Sequence, residues 1–125
     1  MIRILLAEDD QNMRHYLTRA LENAGYGVVA TENGVEALSW LKTEVFDLLL
    51  SDIVMPEMDG IELAQHCADL APQTKVMFIT GFAAVSLRAN QAAPQAKMLS
   101  KPFHLKDLVR EVENMFEDKI ALSSL

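Results

Sequence analysis

The chain has 125 residues, half of them hydrophobic, and a formal charge of −7 from 18 acidic and 11 basic side chains. This length predicts one compact domain that needs no disulfide or structural metal, and the lone cysteine, Cys67, excludes a disulfide framework and zinc sites of the Cys/His type. The acidic balance argues against nucleic acid or anionic lipid as a partner, because both require a basic patch. No signal peptide and no apolar run near the ~20 residues of a membrane span are visible, so we expect a soluble cytoplasmic protein.

Strand-like and helix-like segments alternate along the whole sequence, with no repeat and no linker between them. In chain order, the patterns predict a strand at 2–7, a helix at 12–24, a strand at 27–31, a helix at 35–43, a strand at 46–51, a helix at 61–70, a strand at 75–79, a short helix at 83–95, a strand at 97–100 and a helix at 104–118. Five such units indicate an α/β three-layer sandwich, in which five helices flank a five-stranded parallel sheet.

Helical spacing predicts which side chains face the core. Asn12 is the expected N-cap of the first helix, and Gly25 follows that helix where a C′ glycine is expected. The inward faces of the first and last helices are expected to carry Met13, Tyr16, Leu17, Ala20, Leu21, Ala24, Leu105, Leu108, Val109, Val112 and Phe116.

Polar side chains follow four of the five predicted strands. Glu8-Asp9-Asp10 follow the first, Asp52 the third, Thr80 the fourth and Lys101 the fifth. In a parallel α/β sheet the ligand site lies beyond the carboxyl ends of the strands. If strands one and three are neighbours, Glu8, Asp9 and Asp52 meet at one edge.

Three clustered carboxylates repel one another unless a cation offsets their charge, and oxygen ligands of this kind suit Mg²⁺. The backbone carbonyl of Val54 is a candidate further ligand. The set predicts a device that places a phosphoryl group on Asp52, with Thr80 bonding one phosphoryl oxygen and Lys101 offsetting charge. A single acid after a strand is usually a helix cap or a solvated residue, so the prediction depends on the whole set.

Three stretches carry a resemblance to the receiver domains of two-component response regulators: 4–10 (ILLAEDD), 51–60 (SDIVMPEMDG) and 101–103 (KPF), together with Thr80-Gly81. The resemblance covers about residues 1–118, so we expect a receiver domain over 1–119 and a short tail over 120–125. It implies the flavodoxin-like, CheY-like strand order 2-1-3-4-5 and a cis peptide bond before Pro102.

The resemblance also implies roles for single residues. Asp52 matches the phosphoacceptor, Glu8 and Asp9 the acidic pair that binds Mg²⁺, Thr80 the switch hydroxyl and Lys101 the catalytic lysine. Met55 and Met58 are expected to be packing groups.

One position departs from the pattern of the family. Many receivers carry Tyr or Phe three residues before the lysine, whereas this chain has Met98, so the aromatic switch does not carry over.

Through the runs 78–85 (FITGFAAV) and 99–105 (LSKPFHL), the chain resembles most the small single-domain cell-cycle receivers of alphaproteobacteria. In that group a histidine phosphotransfer protein or histidine kinase supplies the phosphoryl group, and the unphosphorylated form is an adaptor that primes the ClpXP protease for its substrates. The resemblance therefore implies a protein contact as output, and no enzyme activity beyond weak self-catalysed phosphoryl transfer and hydrolysis. Arg14, His15 and Thr18 on the first helix are candidates for contact with the phosphodonor.

Other functions fit less well. A phosphohydrolase of the HAD type needs an acid two residues after the nucleophile, where this chain has Val54. A nucleotide-binding fold needs a P-loop or GxGxxG after a strand, and none is present. A relay intermediate, a regulator of a kinase or motor, and a pseudo-receiver that is never phosphorylated remain alternatives.

Overall fold

The computed structural model alternates five strands with five helices and describes residues 1–81 and 83–117, without the side chains of 83–87. The strands are β1 (Arg3–Ala7), β2 (Gly27–Thr31), β3 (Leu48–Asp52), β4 (Lys75–Thr80) and β5 (Lys97–Ser100). The helices are α1 (Gln11–Asn23), α2 (Gly34–Thr43), α3 (Gly60–Leu70), α4 (Ala83–Ala92) and α5 (Leu105–Met115). The predicted tail, 120–125, and Asp118 lie outside the described residues.

The five strands form one parallel sheet in the order β2-β1-β3-β4-β5, which confirms the expected topology. All five residues of β3 are buried, as expected for a central strand covered on both faces. The register places Ala7 opposite Ser51 and Asp52 opposite Ile79, so β1, β3 and β4 end at the same edge.

Each face of the sheet has its own core, because successive side chains of a strand point to opposite faces. One core joins alternate strand residues to α1 and α5 through Leu17, Leu21, Leu108 and Val112. A second core, on the other face, joins strand residues to α2 and α3, and Cys67 lies fully buried in it. A smaller cluster on that face joins Phe78 of β4 to α3 and to Ala89 of α4. Burial raises the pKa of the Cys67 thiol to about 11, as is typical of a cysteine that packs in a core.

Three predicted inward side chains are exposed. Tyr16 is 57% exposed, Leu105 is 38% exposed, and Ala24 is exposed at the end of α1. The buried stripe of α1 is narrow and runs through Leu17 and Leu21, which are four residues apart. Tyr16 directly precedes Leu17 in the helix, so its side chain points away from this stripe.

Several predicted boundaries were wrong by a few residues. Asp52 and Thr80 are the last residues of β3 and β4 rather than the residues after them. Residues 46 and 47 precede the paired part of β3, where the Asp47 carboxylate accepts a hydrogen bond from the Arg3 N–H at 2.8 Å. Helix α4 ends at Ala92 instead of 95, because Pro94 disfavours a helical backbone at the residue before it, Ala93.

The predicted N-cap of α1 was also wrong. Asp10, not Asn12, is the cap: its Oδ1 accepts the Met13 N–H at 3.0 Å, while Asn12 lies inside the first turn. Gly25 has φ +99° after the helix, which confirms the expected role of that glycine.

We expect Asp10→Ala to lower the free energy of unfolding by about 1 kcal/mol, because the first-turn N–H groups lose their side-chain acceptor. Asn12→Ala is the matched control and should change stability by less than about 0.5 kcal/mol. Urea denaturation at neutral pH measures both. Equal losses in the two variants would contradict the assignment of the cap.

Among the residues that the structure describes, no helix has the length and apolar character needed to cross a membrane.

Candidate functional site

Five polar side chains predicted from the sequence meet at the carboxyl edge of the sheet. Glu8 follows β1, Asp52 ends β3, Thr80 ends β4 and Lys101 follows β5. Asp9 lies beside Glu8 in the loop that leads to α1. The parallel register brings these strand ends level, so the predicted convergence is confirmed for Glu8, Asp9 and Asp52.

The three acids form a compact cluster. One carboxylate oxygen from each of Glu8, Asp9 and Asp52 lies within 4.8 Å of the other two. Glu8 is fully buried, Asp52 is 8% exposed and Asp9 is exposed. The cluster therefore has a buried base and opens to solvent at Asp9.

Lys101 approaches the cluster from the side of β5. Its Nζ lies 3.2 Å from Asp52 Oδ2 and 3.5 Å from Glu8 Oε1. The Lys101 backbone N–H donates to the Thr80 carbonyl at 2.7 Å, and Thr80 is 2% exposed. The Lys101–Pro102 peptide bond is cis, as the resemblance implied.

The charges in the cluster are not balanced. Burial raises the pKa of Glu8 from 4.5 to about 7, and repulsion from Asp52 adds to this effect while Lys101 opposes it. Partial burial acts to lower the pKa of Lys101, but attraction to Asp52 and Glu8 outweighs it and raises that pKa above 10.5. One lysine therefore does not offset the charge of the carboxylates, and a further cation would be bound favourably.

The donor set fits a hard divalent cation. All three side chains offer carboxylate oxygens, and Mg²⁺ takes one or two protein carboxylates together with waters and phosphate oxygens. Glu8, Asp9 and Asp52 would hold such an ion. Val54 is 49% exposed in the loop after β3, and its carbonyl stays a predicted ligand.

The loop between β3 and α3 is held tightly against the end of β3. The Gly60 N–H donates to the Ile53 carbonyl at 2.8 Å, and a Cβ at Gly60 would lie 2.2 Å from the Asp52 carbonyl oxygen. Glu57 adopts a positive φ of 68° at the bend of this loop. Met55 is buried and Met58 packs against the core under α2 and α3, so both are packing groups as expected.

Asp59 ties this loop to two helices. Its Oδ1 accepts the Glu62 N–H at 2.8 Å and so caps α3. Its Oδ2 lies 3.0 Å from the Arg88 guanidinium on α4. Sequence reasoning missed this connection, because nothing in the sequence relates position 59 to position 88.

The predicted donor face of α1 is divided in two. His15 is exposed and next to Tyr16, with ring centroids 6.0 Å apart. Arg14 and Thr18 are partly buried and hydrogen-bonded inside the molecule, Thr18 Oγ1 to the Arg14 carbonyl at 2.7 Å. His15 is the most exposed of the three candidates, and contact of any of them with a phosphodonor stays a prediction.

Met98, the departure from the family pattern, is partly buried. It lies opposite Phe78 in the pairing of β4 and β5 and packs against a cluster that includes Ala89 of α4. The side chain therefore lies between the sheet and α4. Trp40 is half-buried and packs against the core beneath α2.

A parallel sheet of order 2-1-3-4-5 that carries an acidic triad and a lysine at its carboxyl edge defines the receiver class. The model of the response regulator receiver domain family matches residues 4–113, and the chain belongs to this family. The chain is 60% identical over 116 residues to the response regulator receiver protein CpdR of Brucella abortus, covering 92% of this chain and 97% of that protein.

Two further comparisons agree with this assignment. The chain is 40% identical over 119 residues to the sensor kinase CckA of Brucella abortus, which covers 91% of this chain but only 12% of that kinase. The CheY-like receiver domain of Methanospirillum hungatei superposes with a TM-score of 0.87 at 29% identity, covering 97% of this chain and 98% of the other. The chain is thus similar to a stand-alone receiver along nearly the full length of both proteins.

Proposed function

We propose that this chain is a phosphorylation switch in which Asp52 accepts a phosphoryl group in a Mg²⁺-dependent reaction. The observation that carries this proposal is the placement of Asp52 between Lys101, 3.2 Å away, and the carboxylates of Glu8 and Asp9. The cation, when bound, supplies positive charge to the phosphoryl oxygens. Glu8 and Asp9 hold it, and Lys101 approaches from the other side.

The reaction is a displacement at phosphorus. A carboxylate oxygen of Asp52 forms a bond to phosphorus, and the bond from phosphorus to the donor breaks, its electron pair going to the imidazole nitrogen of a phosphohistidine or to acetate from acetyl phosphate. Lys101 and the Thr80 hydroxyl bind oxygens of the transferred group. Water later attacks the same phosphorus, which releases phosphate and restores the Asp52 carboxylate, so we propose no enzyme activity beyond this slow self-catalysed cycle.

Incubation with Mg²⁺ and acetyl phosphate should add about 80 Da, the mass of one phosphoryl group, to the intact protein. Asp52→Asn should abolish this gain, because an amide is not a nucleophile for phosphorus. Electrospray mass spectrometry of the intact chain measures both, with EDTA as a metal-free control.

Asp69→Asn, an exposed position on α3, is the matched control and should keep the full mass gain. A mass gain that persists in Asp52→Asn would overturn the assignment of the phosphoacceptor. No gain in the wild-type chain with fresh donor and Mg²⁺ would support a pseudo-receiver instead.

We further propose that the phosphoryl group comes from a histidine kinase or histidine phosphotransfer protein, and that the unphosphorylated form is a protease adaptor for ClpXP. The support is the 60% identity to CpdR over nearly the full length of both chains, together with the resemblance to cell-cycle receivers. The receiver-like match to the sensor kinase CckA supports a phosphorelay setting.

Affinity capture from a lysate of the source bacterium tests the adaptor role. Asp52→Ala, which stays unphosphorylated, should recover ClpX or ClpP by mass spectrometry at least as well as the wild type does. Wild type loaded with phosphoryl groups from acetyl phosphate should recover less. Capture of only kinases, phosphotransfer proteins or motor components by both forms would contradict the adaptor role and favour a relay intermediate or a kinase or motor regulator.

A further inference from the structure

The Arg14 side chain turns back from α1 onto the loop that carries the acidic pair. Its Nη1 lies 2.9 Å from the Glu8 carbonyl oxygen and 3.5 Å from the Asp9 carbonyl oxygen. These are the backbone carbonyls of the two residues whose carboxylates join Asp52 in the cluster. One guanidinium nitrogen therefore draws two successive carbonyls to the same side of the loop.

The arrangement constrains the backbone that carries the two carboxylates. The two carbonyls belong to the peptide groups on either side of Asp9, so holding them on the α1 side restricts the backbone angles of Asp9 and the direction of its Cα–Cβ bond. The Asp10 N–H also donates to Glu8 Oε2 at 3.3 Å, which holds that carboxylate within the same loop.

Arg14 is itself held in place. Its N–H donates to the Asp10 carbonyl at 2.8 Å, and its carbonyl accepts the Thr18 hydroxyl at 2.7 Å. The backbone from which the side chain extends is thus fixed, and the Glu8 and Asp9 carbonyls hold the guanidinium at its far end, as expected of a group that orients metal ligands from outside the coordination sphere.

Arg14 also differs from Lys101 in what it contacts. Lys101 pairs with carboxylate oxygens of Glu8 and Asp52, the atoms that a cation would use. Arg14 contacts main-chain oxygens and leaves the carboxylate oxygens free for ligation. It can stay in place while a cation binds.

We propose that Arg14 is a positioning residue for the divalent cation site, acting through the backbone carbonyls of Glu8 and Asp9, and not a contact for the phosphodonor. This inference rests on the proposed function, in which those carboxylates hold Mg²⁺. It replaces the role expected for Arg14 from its place on the first helix.

The test compares Arg14→Met and Arg14→Lys with Arg19→Met, which removes the same charge from an exposed position of the same helix. Mg²⁺ titrations at constant ionic strength, followed by backbone amide chemical shifts, give the dissociation constant of each variant. We expect Arg14→Met to raise it about 10-fold, the lower end of the range for residues that orient metal ligands. Arg14→Lys should raise it less, and Arg19→Met should stay within about twofold of the wild type.

A second readout separates positioning from docking. With acetyl phosphate, which needs no protein surface, Arg14→Met should require more Mg²⁺ for half-maximal labelling and should approach the wild-type rate at saturating Mg²⁺. Unchanged Mg²⁺ affinity with slower transfer only from a phosphorylated histidine phosphotransfer protein would show a docking residue and overturn the inference. Equal changes of the Mg²⁺ dissociation constant in Arg14→Met and Arg19→Met would also overturn the inference, because the loss of one positive charge from α1 would then explain both.

The outcomes distinguish this inference from the proposed function. If Arg14→Met does not fold, as judged by its thermal midpoint in EDTA, the comparison of Arg14→Lys with wild type decides, and identical Mg²⁺ affinities overturn the inference. If the wild type binds Mg²⁺ but gains no phosphoryl group, the positioning role stands and the proposed function fails. If the wild type binds no Mg²⁺, both fail.

Discussion

Gly60→Ala is expected to lower the free energy of unfolding by about 3 kcal/mol and to impair phosphoryl acceptance. A Cβ at this position would lie 2.2 Å from the Asp52 carbonyl oxygen and 3.0 Å from both the Asp52 carbonyl carbon and Ile53 Cα. All three are backbone atoms, so no side-chain rotation relieves the clash. The start of α3 must move away from the end of β3, and Asp52 moves with it.

Gly81→Ala is the matched control. The nearest atom to its added Cβ is Lys101 Cβ at 3.9 Å, an ordinary contact, so this variant should keep stability within about 0.5 kcal/mol. Urea denaturation measures the first effect, and intact mass after acetyl phosphate treatment measures the second in any variant that folds. If Gly60→Ala and Gly81→Ala proved equally stable, the close approach of α3 to Asp52 would be wrong.

The metal-free protein is expected to lose stability as pH rises from 5 to 8, because the Glu8 carboxyl is ionised at a cost. Burial raises the pKa of Glu8 from 4.5 to about 7 in the folded state. A raised carboxyl pKa contributes stability that is fully present below pH 4.5 and is lost as pH rises through 7. Solvent reaches the cluster at Asp9, so we expect a loss of about 2 kcal/mol, smaller than the full shift in pKa would give.

Glu8→Gln should remove this pH dependence, and the exposed Glu22→Gln should retain it. Lys101 does not interfere, since its pKa is raised above 10.5 and it stays charged throughout this range. Mg²⁺ should restore wild-type stability most strongly at pH 8, where the cation no longer competes with the Glu8 proton, and should restore Glu8→Gln much less. Denaturation profiles against pH, with EDTA or with Mg²⁺, measure this; parallel profiles for wild type and Glu8→Gln would refute it.

The sequence was sufficient to predict the sheet and the meeting of the acids. Alternating apolar segments define the parallel strands, and the edge at which such strands end does not depend on packing details. Glu8 and Asp52 could be placed together once strands one and three were taken as neighbours, an order that the family resemblance implied. The ends of β3 and β4 were each misjudged by one residue. Lys101 follows β5 at the same edge of the sheet, and there it pairs with both Glu8 and Asp52.

Features that depend on side-chain direction could not be predicted. Asp10 and Asn12 are both good cap residues, and the choice between them depends on where the chain leaves β1. Tyr16 fits the apolar spacing of α1 but lies outside its narrow buried stripe. The hydrogen bonds from the Arg14 guanidinium to two backbone carbonyls of the loop before α1 were not predicted either.

The Asp59 carboxylate connects two helices that lie on the same face of the sheet, α3 and α4. One of its oxygens accepts a hydrogen bond from the first turn of α3, and the other pairs with Arg88 of α4. The next residue, Gly60, lies against the backbone of Asp52. The Arg88 side chain is 60% exposed, so its pair with Asp59 is worth less than about 1 kcal/mol and yields to a small force. The contact therefore links α3 and α4 beside the loop that follows Asp52 only weakly, and it adds little to the free energy that holds α4 in place.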